Sequence, residues 1–292
     1  MTAPRALLAE IVDYAGVFPP AALDVGAAVR NYHEYSTSPE AWMLGRFVVP
    51  VARLGDALEA GNSVSNGGQT LRIAAVLGAD PVADIGHAHR FNDANSNRAI
   101  VDCVESRLST VAAIRDAAAA AGSIELFAEV PAADDPETLI DALAEAGASG
   151  KIRTGGVTPD AFPTAATIVR FIRRSLEAGI RFKATAGLHH PLRAEYRLTY
   201  DEGAACGSMF GFLNVFLAAA AVTAGAIDED AVRLLNEGRP SEFVWSPAAA
   251  AWNGSVFTES DLALLREHGA VSFGSCSFRE PVDESRALGL IE

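Results

Sequence analysis

IELFAEVPAADDPETLIDALAEAGASGKIRTGGVTPDAFPTAATIVRFIRRSLEAGIRFKAT, residues 124–185, sets the architecture of the chain. Three short apolar segments, Ile124–Val130, Lys151–Thr154 and Phe182–Thr185, alternate with two longer segments whose apolar residues recur at helical spacing. In the first of these, Asp135-Pro136-Glu137 supplies a cap, a proline in the first turn and an acid at the positive helix end. Leu139, Ile140 and Leu143 form its buried stripe, and Gly147 ends it. Thr158-Pro159-Asp160 repeats the start signal for the second, in which Ile168, Phe171, Ile172 and Leu176 line one face. Strands alternating with helices predict parallel strands joined by crossover helices.

The alternation continues outward. Ile11–Phe18, Phe47–Pro50, Leu71–Leu77 and Ala99–Glu105 precede the stretch, and Val271–Ser275 follows it. Eight strands in 292 residues predict an α/β protein, a (β/α)8 TIM barrel forming a single domain over residues 1–292. A doubly wound open sheet is the alternative, and it lacks its GxGxxG turn after the first strand. One connection is out of proportion, since about 85 residues separate Thr185 from Val271. A helix at about Met209–Ala224, another around Asp228–Leu235, and a hairpin built from Phe243–Ser246 and Trp252-Asn253-Gly254 predict a helical and hairpin insertion at about 188–268, between the seventh and eighth strands. It would emerge on the face where barrel active sites are built. A lid, a specificity segment and an oligomer contact are all open roles for it, so further copies of the chain stand among the candidate partners.

With 23 basic against 37 acidic side chains, the net charge is -14. Such a surface repels phosphate backbones and anionic lipid, so neither nucleic acid nor a membrane is an expected partner. An anionic small molecule is still allowed, because a few cations inside a pocket act locally. Three cysteines with no CxxC give neither a disulfide framework nor a zinc ribbon. The start, MTAPRALLAEIVD, has no long apolar run, and the run from Phe212 to Ala224 is broken by Asn214 and shorter than the about 20 residues of a membrane span. A cytoplasmic protein using no cofactor and no metal is expected.

Inward positions of a barrel are mostly apolar, so charges on the strands need a reason. They are Asp13 on the first strand, Asp102 and Glu105 on the fourth, Glu129 on the fifth, Lys151 and Arg153 on the sixth, and Lys183 on the seventh. Two lysines on neighbouring strands each disfavour protonation of the other, and desolvation acts in the same direction. A lysine that is neutral near pH 7 is the nucleophile a Schiff base requires, and a neighbouring carboxylate moves the protons. The plainer reading is an ion-pair network with Glu105 and Glu129. Asp102 and Glu105 have opposite parity, so both face inward only across a bulge. His189 and His190 are adjacent and diverge, so one of them faces the site; with Glu105 and Glu129 they offer an alternative, a metal-assisted hydrolase or isomerase. His87 and His89 do not share a helix face. Asn214 is either a core amide or a pocket residue, and Trp245, Trp252 and Cys276 read as packing.

The strands resemble those of the deoxyribose-phosphate aldolase-like barrels, which work through a Schiff base. Ile11-Val12-Asp13-Tyr14-Ala15 followed by Pro19-Pro20 is similar to the family's opening strand, Ile73 to Gly78 to its third, and Ile100-Val101-Asp102-Cys103-Val104 to its fourth. Lys151-Ile152-Arg153-Thr154-Gly155-Gly156 resembles the strand whose lysine forms the imine, and Phe182-Lys183-Ala184-Thr185-Ala186-Gly187 the strand of the second lysine. Phe273-Gly274-Ser275-Cys276-Ser277 resembles the eighth-strand phosphate loop. The resemblance implies a lyase in which Lys151 forms the imine, Lys183 lowers its pKa, and Asp102 and Asp13 transfer protons. Arg153 departs from the family's small hydroxyl residue, and Ala186-Gly187-Leu188-His189-His190 from its glycine-rich turn. These departures weigh against a phosphorylated sugar and leave a small anionic carbonyl compound, with a carboxylate or other anion, or a phosphorylated substrate, held by Arg153 with Thr185, His189, His190, Gly274, Ser275 and Ser277. An anion-binding barrel without catalysis is the remaining alternative.

Overall fold

A computed structural model of the chain describes residues 1–64, 70–131 and 135–292. Seven strands come first, β1 (Val12–Tyr14), β2 (Leu44–Pro50), β3 (Leu71–Val76), β4 (Ala99–Arg107), β5 (Glu125–Glu129), β6 (Ser149–Arg153) and β7 (Phe182–Thr185). The chain then forms a two-stranded antiparallel ribbon, β8 (Ala194–Arg197) and β9 (Cys206–Met209), and a three-stranded antiparallel sheet, β10 (Phe243–Trp245), β11 (Ala249–Trp252) and β12 (Ser255–Thr258). Finally β13 (Ala270–Ser275) pairs with both β7 and β1 and closes an eight-stranded, all-parallel (β/α)8 barrel. Each of the eight strand segments read from the sequence lies on a barrel strand.

The helices take their places by amphipathic burial. Helix Ala165–Glu177 turns Ile168, Val169, Phe171 and Ile172 into the core between sheet and helices. Its start differs from the expectation: Thr158-Pro159-Asp160 leads only a single 3-10 turn, Pro159–Ala161. Pro163 disfavours helical backbone at Phe162, which is extended, and Thr164 then caps the helix by accepting a hydrogen bond from Thr167 N at 3.1 Å. Helix Glu137–Ala146 ends at Gly147 as expected, with the glycine at φ 67.

Between β7 and β13 the chain holds the β8–β9 ribbon, helices Phe212–Thr223 and Asp228–Leu235, the β10–β12 sheet and helix Glu259–His268. Helices Phe212–Thr223 and Glu259–His268 pack on each other, and both pack on β13. Asn214, buried in the first of them, is a core amide. Its Nδ2 donates to Leu234 O and Glu237 O, each at 2.8 Å, and its Oδ1 accepts from Arg193 N at 2.9 Å. The expected hairpin is also corrected. Trp252 pairs with Phe243 across β10 and β11, and Asn253-Gly254, both at positive φ, turn the chain into a third strand. Among the described residues, no helix is long and apolar enough to cross a membrane.

Alternation along the strands fills the ring in levels. Val48, Ala74, Cys103 and Phe127 form an inner apolar cluster of their own, apart from the larger core. Two residues earlier on these strands stand Arg46, Arg72 and Glu125, and two residues later Val76, Glu105 and Glu129. The interior therefore has a charged floor, an apolar waist and a charged mouth.

Candidate active site

The mouth opens on a cavity of about 520 Å³. Its wall is divided by strand order. Phe18 and Pro19 after β1, Val48 on β2, and Val76 and Leu77 at the end of β3 make an apolar arc. Glu105 and Arg107 on β4, Glu129 on β5, and Lys151 and Arg153 on β6 make the facing charged arc. Thr185, His189, Gly274 and Cys276 complete the ring.

A line of hydrogen bonds runs down from this mouth into the barrel. Lys151 Nζ lies 2.6 Å from Glu105 Oε2, and the other oxygen of the same carboxylate lies 3.1 Å from Lys183 Nζ. Lys183 continues to Asp13 Oδ2 at 2.7 Å, and Ser272 Oγ donates to that same oxygen at 2.7 Å. Asp13 Oδ1 accepts from Arg46 N at 2.7 Å. Gly45 makes room for this carboxylate, since a Cβ there would stand 2.4 Å from Asp13 Oδ1. Lys183 also sits 4.6 Å from the centre of the Phe127 ring and lies entirely below the cavity, whereas Lys151 is on its wall. The pairing of β6 with β7 places the two lysines directly opposite each other.

The electrostatics follow the ion-pair network with Glu105 and Glu129 that the sequence offered beside the two-lysine reading. Glu105 stands between the two lysines. Burial works to raise its carboxyl, but Lys151 and Lys183 together hold it down at about 2. Asp13 is likewise held below its ordinary value, against its burial, by Lys183 and Arg46. Lys183 is moved upward: burial opposes its charge, and Asp13 and Glu105 more than compensate. Lys183 is thus a fixed cation that anchors two carboxylates.

Glu129 organises the rim. Its Oε1 accepts from Arg107 Nε at 2.8 Å and Arg153 Nε at 3.1 Å, and its Oε2 lies 3.7 Å from Lys151 Nζ. Against its burial, Lys151 and Arg153 lower its pKa. The charged arc sets three basic side chains, Lys151, Arg153 and Arg107, against two acidic ones, Glu105 and Glu129. The mouth therefore carries one positive charge more than its carboxylates balance, in a chain whose net charge is -14.

Four expected residues lie elsewhere. Asp102 belongs to the floor, where it pairs with Arg46 Nε at 2.6 Å and Arg72 Nη2 at 3.3 Å. The register between β3 and β4 slips there, from Ile73 opposite Val101 to Ala74 opposite Cys103, so the bulge brings Asp102 inward. It does so about 10 Å below Glu105, three residues down the strand. His190 faces away from the cavity, with Nδ1 2.7 Å from Glu284 Oε1 and its ring stacked on Tyr196. Ser275 Oγ is taken by His189 Nδ1 at 3.1 Å and Ser277 N at 3.2 Å, and Ser277 Oγ accepts from Glu280 N. His189 does reach the cavity wall; burial, and then His190, lower its pKa to about 4, so the ring is neutral at pH 7. Its Nδ1 lies beside Ser275 and 3.6 Å from Glu280, so the metal set of Glu105, Glu129 and a histidine does not assemble. Among the described residues, no three His, Cys, Asp or Glu side chains gather as metal ligands.

Two features escaped the sequence reading. Arg107 follows Glu105 by two residues on β4, the same spacing that puts Lys151 and Arg153 on one face. The second is a count: the 23 basic residues are 21 arginines and two lysines, and the two lysines are Lys151 and Lys183. Every other cation in the chain is an arginine, while both amines stand inside the barrel. No family model matches the chain, and no curated protein matches it either.

Proposed function

We propose that the chain is an aldolase-type lyase that binds a small anionic carbonyl compound as a Schiff base on Lys151. The observation that carries this reading is the placement of the chain's two lysines: both reach one buried carboxylate, and only Lys151 lines the cavity. A lysine costs more to bury than an apolar residue, and arginine suits ion pairing better. What lysine offers in its place is an amine that can lose its proton and attack a carbonyl.

In this account the Lys151 ammonium gives a proton to Glu105, the nearest carboxylate, as substrate displaces water from the mouth and both charges lose solvation. The amine nitrogen adds to the carbonyl carbon, and the oxygen leaves as water. A carboxylate takes the proton of a hydroxyl on the carbon β to the iminium; that oxygen becomes the aldehyde carbonyl as the α–β carbon–carbon bond breaks and its electron pair passes into the iminium nitrogen. An aldehyde departs, and the enamine left behind takes a proton on carbon before water releases the second product. Glu105 and Glu129 both border Lys151 and serve the proton transfers. Lys183 and Asp13 hold Glu105 in place. The fold agrees with an enzyme of this kind, and a mouth open beside Lys151 favours it over a barrel that only binds anions.

The test is borohydride reduction in the presence of small oxo acids and aldehydes, read by intact mass. The reading expects one adduct per chain and none on Lys151→Ala. Equal labelling of the variant would overturn it.

A further inference from the structure

The divided wall of the cavity bears on which carbonyl compound fits. Two arginines, Arg107 and Arg153, share the single carboxylate of Glu129 at the rim, and together with Lys151 they leave the charged arc one positive charge in excess. Arg153 is two residues beyond Lys151 on the same strand, so its guanidinium stands above the amine on the same face. Its Nε and Nη2 both bind Glu129, and the remaining guanidinium N–H groups are left for a second carboxylate. The facing arc of Phe18, Pro19, Val48, Val76 and Leu77 offers no hydrogen-bonding side chain, and Val157 and Leu198, from the segments after β6 and β8, add apolar lining elsewhere on the wall. Sugar hydroxyls against this surface would lose water and gain no partner. The turn after β13 is already occupied: Ser275 Oγ and Ser277 Oγ serve His189, Ser277 N and Glu280 N, and Glu280 and Glu284 stand beside the two histidines. Neither serine lines the cavity, so this turn presents no hydroxyl to a phosphate bound there.

We propose, resting on the Schiff-base reading, that the substrate is a small oxo-carboxylate with an apolar substituent, its carboxylate held by Arg153 and Arg107, its carbonyl carbon at Lys151 and its apolar end against Phe18 and Val76. It is not a phosphorylated sugar.

Four probes separate the parts of this proposal in the borohydride assay. Ketoisocaproate carries both a carboxylate and an apolar tail. Pyruvate lacks the tail, methyl isobutyl ketone has the tail and a methyl group in place of the carboxylate, and glyceraldehyde phosphate is a phosphorylated sugar. Ketoisocaproate is expected to reach half-labelling at a concentration roughly tenfold or more below that for the neutral ketone, as a charge-assisted contact implies. Pyruvate should also fall behind it. Arg153→Leu and, independently, Arg107→Leu should remove most of the advantage over the neutral ketone, read as the ratio of the two half-labelling concentrations within each variant. Stronger labelling by glyceraldehyde phosphate overturns the substrate class and leaves Lys151 chemistry standing. Absence of labelling by all four sinks the Schiff-base reading. Calorimetric titration of ketoisocaproate then decides the binding claim alone: binding that Arg153→Leu weakens supports it, and no binding overturns it.

Discussion

Glu105 bridges the two lysines of the chain, with one oxygen 2.6 Å from Lys151 and the other 3.1 Å from Lys183. Removing its charge leaves two buried amines facing an amide. Glu105→Gln should lower the unfolding free energy by about 3–5 kcal/mol, the usual result of deleting one partner of a buried ion pair. It should also slow adduct formation by roughly a hundredfold or more, as expected for a lost general base. Denaturant unfolding and the rate of borohydride labelling measure the two effects separately. A variant that unfolds early yet labels at the normal rate would show that Glu105 only holds the fold together.

Gly45 is the next point of leverage, because its missing side chain is where the Asp13 carboxylate lies. In Gly45→Ala the new methyl would fall 2.4 Å from Asp13 Oδ1 and 3.2 Å from two backbone oxygens. The expected cost is about 1–3 kcal/mol of stability, typical of overpacking. Labelling should slow as Asp13 moves off Lys183. Gly55→Ala is the control, since nothing lies within 4 Å of a Cβ there and it sits in a helix, where alanine is the better residue. A melting temperature for Gly45→Ala equal to that of the control would contradict the packing described around Asp13.

The buried neutral His189 gives the protein a defined sensitivity to acid. Its pKa falls from 6.5 in the unfolded chain to about 4 when folded. Between those values the unfolded chain binds a proton that the folded chain refuses. Its contribution is therefore complete above about pH 6.5 and lost as the pH falls through about 4, and a displacement of this size is worth about 3 kcal/mol. Glu105 adds a second loss of the same sign at lower pH, from 4.5 toward about 2. Urea unfolding at a series of pH values should show stability declining below about 6.5. His189→Asn should flatten the upper part of the decline and leave the lower part. An unchanged upper slope in the variant would place the titrating group elsewhere.

Asp102 tests the separation of floor from mouth. Its partners are Arg46 and Arg72, and among the described residues no ion pair joins it to Lys151. Asp102→Asn should cost about 1–3 kcal/mol through the weakened floor pairs and leave the labelling rate within a factor of about two. A large fall in labelling without unfolding would return Asp102 to the chemistry.

Most of the barrel was legible because its signals are local. Apolar segments such as Ile124–Val130 and Phe182–Thr185 are bracketed by helix caps, prolines and glycines, and each became a strand. Parity along a strand was equally legible: it placed Lys151 and Arg153 on one face and let Asp102 and Glu105 both turn inward only across a bulge. What escaped depended on neighbours distant in sequence. The bulge that turns Asp102 inward exists only in the register of β4 against β3. The ion pairs of the lysines with Glu105 stood in the sequence only as the plainer alternative, because neither lysine strand announces that Glu105 enters between them. Loop side chains such as His190 and Ser277 carried the right chemistry for a site, but their direction is set by Glu284, Tyr196 and the helix start at Glu280. Thr158 lost its role as a cap to Thr164 because Pro163 intervenes.

The scarcity of lysine makes the decisive measurement unusually clean, since the only amines available for reductive trapping are Lys151, Lys183 and the chain's own N-terminus. After reduction with ketoisocaproate the protein is digested and the modified peptide sequenced by mass spectrometry. The account predicts the whole of the added mass on Lys151. Modification of Lys183 or the N-terminal amine instead, or an unmodified Lys151 in protein that has turned over substrate, would contradict it.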